Sequence, residues 1–271
     1  MDKYALFGHP VAHSKSPYIH KLFAEQTNQS LQYDAILSPL DAFSETVQTF
    51  FAHGGKGANV TLPFKEQAFG LVDECSSSAE MAGAVNTLIM KDNRLLGENT
   101  DGSGLVTDLI FNGIELKNSR VLVLGAGGAA KGALLPLLKK ETALIHVANR
   151  TEKKALDLAR QFSAYGQVSA SGLVDVPHEP YDLIINASSA SLAGEVPSID
   201  SRLLNNRIVC YDMLYGREET AFNRWAKEHG SARQLDGLGM LVEQAALSFS
   251  LWRGVMPDTT RVRQALRDYL A

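Results

Sequence analysis

Cysteine is scarce in this chain: Cys75 and Cys210 are the only two, and they form no C-x-x-C pattern. That excludes a disulfide framework and a cysteine-built zinc site. The seven histidines show no H-E-x-x-H spacing. His9 and His13 stand four apart, but Pro10 follows His9 directly and argues against a shared helical face. No metal is expected. Excess positive charge is also missing. The formal net charge is −4 and no Lys/Arg cluster supplies a local basic field, so nucleic acid is not an expected partner. Long apolar runs are absent as well. No uncharged stretch approaches the ~18 residues of a membrane span, and the opening MDKYALFGHP has no apolar signal region. A cytoplasmic protein with no membrane partner is expected.

What remains is ordinary globular composition over 271 residues, enough for two domains at roughly 100–200 residues each. Residues 3–8 (KYALFG) read as a buried strand ended by Gly8 and Pro10, followed by helix 17–28 and strand 31–37. A helix over 41–53 stops at Gly54-Gly55, a C-cap signal. Strand 57–62 stops at Pro63, helix 64–72 follows, and NTLIM (86–90) with 95–99 suggests two strands around a turn. From Gly102 the pattern becomes more regular: a helix through Gly113, then SRVLVLG (119–125), a nearly all-apolar run typical of a parallel strand covered on both faces. Helix 128–140, with Pro136 predicting a kink, leads to strand 143–148 and helix 151–163. A weak strand near 167–170 and strands 181–187 and 207–212 continue the series, and helices 218–229, 238–254 and 258–270 close the chain. The βαβαβ rhythm implies a doubly wound sheet.

VLVLGAGGAA places Gly125, Gly127 and Ala130 in a G-x-G-x-x-A pattern between a strand and a helix. Gly125 permits the tight turn, Gly127 lets a pyrophosphate approach the backbone, and a small residue at 130 permits close helix–strand packing. Dinucleotide binding is the reading; a merely structural glycine turn is the bland one. NAD-binding folds usually end the next strand with an acid, roughly 20 residues after the glycines. Here the strand runs into Asn149-Arg150-Thr151, with Lys153 and Lys154 in the next turn. An anionic 2′-phosphate matches these cations, which favours NADP over NAD. The competing reading is a solvated first turn capped by Thr151, although lysines there oppose the helix dipole.

Polar residues in the first domain form a second constellation. Ser14 and Ser16 flank Lys15, and Ser16 could simply N-cap a helix with Pro17 at N1. Asn59 and Thr61 alternate on one strand face and Lys65 lies just past its end, where it could instead snorkel. Asn86 begins the next strand, and Asp101, between Thr100 and Gly102, could cap a helix. Together they supply hydroxyls, amides, an amine and a carboxylate on elements expected to border a domain cleft, the mixture a hydroxylated small substrate needs.

The motifs SKSP (14–17), NVTLPFKE (59–66), AGAVNT (82–87), NTDG (99–102), GAGGAAKG (125–132), NRT (149–151), the tyrosines and methionine of 211–215 and DGLGMLVEQAA (236–246) resemble shikimate dehydrogenase in order and spacing across nearly the whole chain. The resemblance implies an α/β protein: an N-terminal substrate domain, 1–101, completed by returning C-terminal helices, 238–271, and a Rossmann-type NADP domain, 102–237. It implies NADP-linked reversible reduction of 3-dehydroshikimate to shikimate, on the way to aromatic amino acids. Lys65 and Asp101 would form the acid/base pair. Ser14 and Ser16 would bind the substrate carboxylate, and Asn59, Thr61, Asn86, Asp101 and Gln244 the ring hydroxyls, with Tyr215 nearby. Gly125, Ala126, Gly127, Gly128 and Ala129 would cradle the pyrophosphate. Asn149, Arg150, Thr151 and Lys154 would grip the 2′-phosphate, while Met213 and Gly237 would line the nicotinamide end. A monomer and a homodimer both remain open.

Two departures stand out. The family often has arginine at Lys154, whose point charge offers one fork fewer. Ser188 and Ser191 stand where threonine and glycine are commoner; if a glycine at 191 served a positive φ, serine would force another loop. The rival readings are a quinate-accepting or NAD-using enzyme of the same fold, a metabolite-binding regulator that has lost catalysis, and a folate-linked dehydrogenase of related architecture.

Overall fold

Apolar residues 4–7 make the buried half of the opening strand, and alternation of strand and helix continues from there. The computed structural model describes residues 1–270. In chain order the elements are β1 (Asp2–Gly8), α1 (Ser16–Gln26), β2 (Leu31–Leu37), α2 (Phe43–Ala52), β3 (Gly55–Val60), α3 (Lys65–Phe69), β4 (Glu74–Cys75), α4 (Ser77–Ala82), β5 (Thr87–Lys91), β6 (Arg94–Glu98) and α5 (Asp101–Phe111). They continue with β7 (Arg120–Leu124), α6 (Gly128–Leu138), β8 (Leu144–Asn149), α7 (Glu152–Phe162), β9 (Val168–Gly172), β10 (Leu183–Asn186), β11 (Val209–Asp212), α8 (Ala221–Glu228), β12 (Arg233–Asp236), α9 (Leu238–Arg253) and α10 (Thr259–Leu270). Two units divide the chain: Met1–Gly104 with Leu241–Tyr269, and Leu105–Met240.

The first unit is built on a six-stranded sheet in the order β2-β1-β3-β5-β6-β4. β1 runs parallel to both β2 and β3, while β5 is antiparallel to β3 and β6. Phe7, Phe43, Val47, Val60, Phe64 and Leu88 form one core cluster, with Phe43 and Phe64 stacked at 4.6 Å. The C-terminal helices return to this sheet. Trp252 of α9 donates its indole N–H to the Leu88 carbonyl at 3.0 Å. A Cβ on Gly57 of β3 would lie 2.3 Å from that indole nitrogen, so glycine makes room for the ring. Arg263 of α10 then grips buried Glu243 of α9 at 2.6 Å, and the Thr259 hydroxyl donates to the same carboxylate at 2.6 Å.

The second unit carries six parallel strands in the order β12-β11-β10-β7-β8-β9. Strand order reverses between β7 and β10, the switch point of a doubly wound Rossmann-type sheet. Leu122, Leu124, Ile184, Ile208, Cys210 and Phe222 fill part of its core.

Several local expectations change. Ser16 is not an N-cap: Lys15 holds that position, with no side-chain cap, and Ser16 is the first helical residue. Pro136 lies inside α6, in its last turn, and the helix ends at Leu138 rather than 140. Helix 64–72 shortens to α3. The weak strand near 167 is β9. Sequence reading missed α4, β4 and β12, which are too short, or in β12 too polar (RQLD), to show a periodicity.

One core residue has a consequence for stability. His20 is fully buried, and its ring stacks on Tyr33 at 4.2 Å with Phe23, Phe249 and Trp252 around it. Neither ring nitrogen has a hydrogen-bond partner. Burial pushes its pKa from 6.5 down to about 3, and likewise pushes that of His146, in the second sheet, to about 4. Between those values and 6.5 the unfolded chain binds more protons than the folded one, so stability present above pH 6.5 is lost as the pH falls through that window. His20→Phe keeps the stack and removes the orphaned nitrogens. Denaturant titrations at pH 7.5 and 4.5 are expected to show a variant as stable as wild type at the higher pH and less weakened at the lower. An acid loss equal to wild type's would refute this account.

Candidate active site

In the first unit, register brings the predicted side chains together. Asn59 of β3 lies opposite Thr87 of β5, and the Val60 N–H donates to the Asn86 carbonyl. Asn86, just before β5, therefore sits against the end of β3 and near the start of α3. Lys65 begins α3, and its Nζ contacts Asp101 Oδ2 at 2.6 Å. Both side chains are about one-quarter exposed, 27% and 23%. Lys65 is thus held by a carboxylate rather than lying along apolar surface. Asp101 is the first residue of α5, and its carboxylate goes to Lys65 and, through Oδ1, to Asn86 Nδ2 at 2.8 Å. Its own N–H donates to Asn99 Oδ1.

Asn86 is fully engaged. Its Nδ2 also donates to Thr100 Oγ1 at 2.9 Å, and its Oδ1 accepts from the Thr100 N–H and the Thr87 hydroxyl, both at 2.9 Å. Gln244 Oε1 stands 3.4 Å from Asn86 Nδ2. Its helix can approach because a Cβ on Gly104 would lie 2.7 Å from the Gln244 nitrogen. Asn59 is equally committed: Nδ2 donates to the Asn86 carbonyl and Ser248 Oγ, and Oδ1 accepts from the Tyr33 hydroxyl at 2.8 Å. Ser16 is buried, and Ser14 Oγ accepts from its N–H at 3.2 Å. Thr61 is half-buried just past β3; its methyl lies against Gly8, where a Cβ would come within 2.5 Å.

Ser248, Thr87 and Tyr33 escaped the sequence reading. Ser248 carried one usable signal: it lies four residues after Gln244 on the same face of a helix. Its hydroxyl meets Thr87 Oγ1 at 2.7 Å.

In the second unit, the glycine turn follows β7. Gly125 adopts φ +113°, and a Cβ there would lie 3.1 Å from the Ala187 carbonyl carbon, so both conformation and space demand glycine. Gly127 caps α6 with no side chain, and nothing lies within 4 Å of a Cβ placed on it or on Gly128. With Ala126 and Ala129 they make an open backbone cradle at a helix N-terminus, which fits a pyrophosphate. Ala130 is buried, as close helix–strand packing requires. After β8, Asn149 Nδ2 donates to the Thr151 carbonyl at 2.9 Å. Thr151 occupies the N-cap position without a side-chain cap bond. Arg150, Lys153 and Lys154 are exposed, with no ion pair among the described residues. That arrangement suits an anion from solvent better than an internal partner. Met213 follows β11, and a Cβ on Gly237 would collide with the Met213 carbonyl oxygen at 2.1 Å. Tyr215 is half-buried; burial, then the Asp236 carboxylate, pushes its phenol pKa up. Among the described residues no cluster of three or more His, Cys, Asp or Glu could hold a metal, and no helix is long and apolar enough to cross a membrane.

A parallel doubly wound unit with an open glycine cradle at its switch point, in a chain that also carries a lysine–carboxylate pair, defines a dinucleotide-dependent oxidoreductase. The model of the shikimate dehydrogenase substrate-binding domain matches residues 6–88, that of shikimate/quinate 5-dehydrogenase residues 107–194, and that of the shikimate 5′-dehydrogenase C-terminal domain residues 237–267. The shikimate dehydrogenase (NADP(+)) of Hahella chejuensis is 55% identical over 98% of this chain and 99% of its own. That of Colwellia psychrerythraea is 53% identical over 98% and 96%. Among solved structures, an Ael1 enzyme from Pseudomonas putida superposes with a TM-score of 0.95 at 45% identity, covering 98% of each chain. The Thermus thermophilus shikimate 5-dehydrogenase, in complex with NADP(H) and shikimate, does so at 0.88 and 35%, covering both chains fully. The chain belongs to the shikimate dehydrogenase family.

The two cradle glycines separate fold from binding. Gly125→Ala is expected to destabilise the protein by about 1–3 kcal/mol through backbone strain and the Ala187 contact. Gly127→Ala, at φ −88° in open space, is expected to keep wild-type stability and lose dinucleotide affinity. Urea denaturation with fluorescence titration of the dinucleotide checks both; equal stability losses would contradict the assignment.

Proposed function

We propose that the chain catalyses the reversible, NADP-dependent reduction of 3-dehydroshikimate to shikimate. The observation that carries this reading is the Lys65–Asp101 pair fixed by Asn86, in a chain whose second unit presents the glycine cradle and free cations. The chemistry NADP supplies when bound is hydride exchange at the substrate's C3. Everything else falls to this chain's side chains.

Lys65 Nζ gives the proton that the developing alkoxide oxygen requires, and takes it back in the oxidative direction. Asp101 holds that nitrogen through one oxygen while Asn86 holds the other, so the amine is oriented before substrate arrives. Partial exposure of Lys65 gives water a route to restore its proton. Ser14 and Ser16 take the substrate carboxylate. Thr61, Asp101, Gln244 and Tyr215 serve the ring hydroxyls, while Asn86, its amide committed within the protein, aims Asp101. Asn59, whose amide is committed within the protein, acts by fixing Asn86 and Tyr33. Gly125 to Ala129 hold the pyrophosphate, with Met213 and Gly237 toward the nicotinamide. Asn149, Arg150, Thr151 and Lys154 hold the 2′-phosphate, where guanidinium and ammonium favour NADP over NAD. The protein acts in the cytoplasm as a monomer or homodimer, with no nucleic-acid or membrane partner.

The family description names quinate beside shikimate, so both acids belong in the assay. Steady-state oxidation of shikimate and quinate with NADP and NAD is expected to show shikimate with NADP as the best pair; a higher kcat/KM for quinate or NAD would overturn it. Lys65→Ala is expected to lower kcat by about 10²-fold or more with KM nearly unchanged. A rise in KM alone would instead make Lys65 an anchor for the hydroxyl.

A further inference from the structure

Ser188 and Ser191, the two departures in NASSAS, lie on the loop that leaves β10. The loop starts against the glycine turn: a Cβ on Gly125 would lie 3.1 Å from the Ala187 carbonyl and 3.2 Å from the Ser188 nitrogen. The expected conflict at 191 does not arise. Ser191 is absent from the residues with positive φ; Gly194, three residues on, supplies the left-handed turn at φ +71° and closes the short 3-10 segment Ala190–Ala193.

The Ser191 hydroxyl instead donates to Asp212 Oδ2 at 2.7 Å and accepts from Asn186 Nδ2 at 3.2 Å. Asp212 ends β11, is completely buried, and pairs in register with Asn186 at the end of β10. Its Oδ1 accepts from Asn186 Nδ2 at 3.2 Å and from the Leu214 N–H at 3.1 Å. Asn186 Oδ1 takes the Ser188 N–H and hydroxyl at 3.1 and 2.7 Å, and its carbonyl takes the Met213 N–H at 3.0 Å. One buried carboxylate and one amide therefore tie the loop after β10 to the loop after β11. β10 flanks the switch point, where doubly wound sheets bind dinucleotides, and β11 is its neighbour on the far side from β7. A buried carboxylate needs donors, and Ser191 is the only one of these that reaches it from residues 187–194.

We propose that Ser191 is a positioning residue: its hydroxyl latches the 187–194 loop to Asp212 and so fixes the wall beside the glycine turn against which NADP is laid. The inference rests on the NADP reading above. It assigns to this chain's own serine a constraint that glycine at the same position cannot supply.

Ser191→Ala and Ser191→Thr test it, the second retaining the hydroxyl. Amide hydrogen exchange of residues 189–194 in the unliganded protein is expected to speed up about tenfold in the alanine variant and to stay near wild type in the threonine variant. The Kd for NADP, read by fluorescence titration, is expected to weaken about three- to tenfold in Ser191→Ala, with threonine restoring it and the KM for shikimate within a factor of two. Unchanged exchange, or unchanged NADP affinity, in Ser191→Ala would overturn the latch. So would parallel losses in shikimate KM, NADP affinity and Tm, which mark a general structural role. Wild-type protein that fails to bind NADP would instead sink the functional reading, and the exchange comparison would still decide whether the loop is held by Ser191.

Discussion

One carboxamide organises the first unit. A side-chain amide offers two donors and two acceptor lone pairs in a plane, and Asn86 uses all four: Asp101 and Thr100 on the nitrogen, the Thr100 N–H and the Thr87 hydroxyl on the oxygen. The fixed plane joins the start of β5 to the turn that opens α5. It therefore sets where Asp101 points, and Asp101 sets where Lys65 points. A buried amide with any of these partners missing would carry a desolvation cost of about 1–3 kcal/mol. The surrounding threonines and Ser248 are thus as necessary to the geometry as the residues that face the chemistry.

The second unit solves a different problem by different means. A pyrophosphate is recognised by backbone, so the sequence there removes side chains: Gly127 and Gly128 leave open space, and Gly125 lets β7 and the loop after β10 come within van der Waals distance. Side-chain polarity is concentrated one layer behind, in Asn186 and Asp212, where it holds loops rather than ligand. Polar groups in the first unit orient one another around the Lys65–Asp101 pair; in the second they tie together the loops beside the glycine turn.

Legibility in the sequence follows the same division. The glycine turn was readable because a backbone requirement is written in consecutive residues, and the parallel strands because burial on both faces leaves apolar runs such as RVLVL. Lys65 and Asp101 lie 36 positions apart, so each alone admitted a bland explanation, a snorkelling amine and a helix cap. Only the fold shows both explanations to be incomplete, as the 2.6 Å contact joins the two. The capping role read for Ser16 failed because Lys15 takes that position and Ser16 is already the first helical residue. Tyr33 and Thr87 were illegible for a further reason: their partners come from β3 and α9, and no local pattern records a contact across such separations. Ser191 was noticed as a departure, but its partner Asp212 belongs to another strand, so its use could not be inferred.

The Lys65–Asp101 pair itself argues that stability is not why it exists. An ion pair whose side chains stay about one-quarter exposed gains little, because solvent still screens the charges and ordering two side chains costs entropy. Neither partner is buried enough to escape that screening. Yet Asn86 is held by a fully satisfied buried network whose outermost product is the orientation of this one pair. On the proposed function, Asn59, Thr87, Thr100 and Ser248 are committed to aiming this weakly stabilising pair for its chemistry. An amine held at a set distance from a carboxylate, with one edge open to water, can give up a proton and regain it without the surrounding framework having to move.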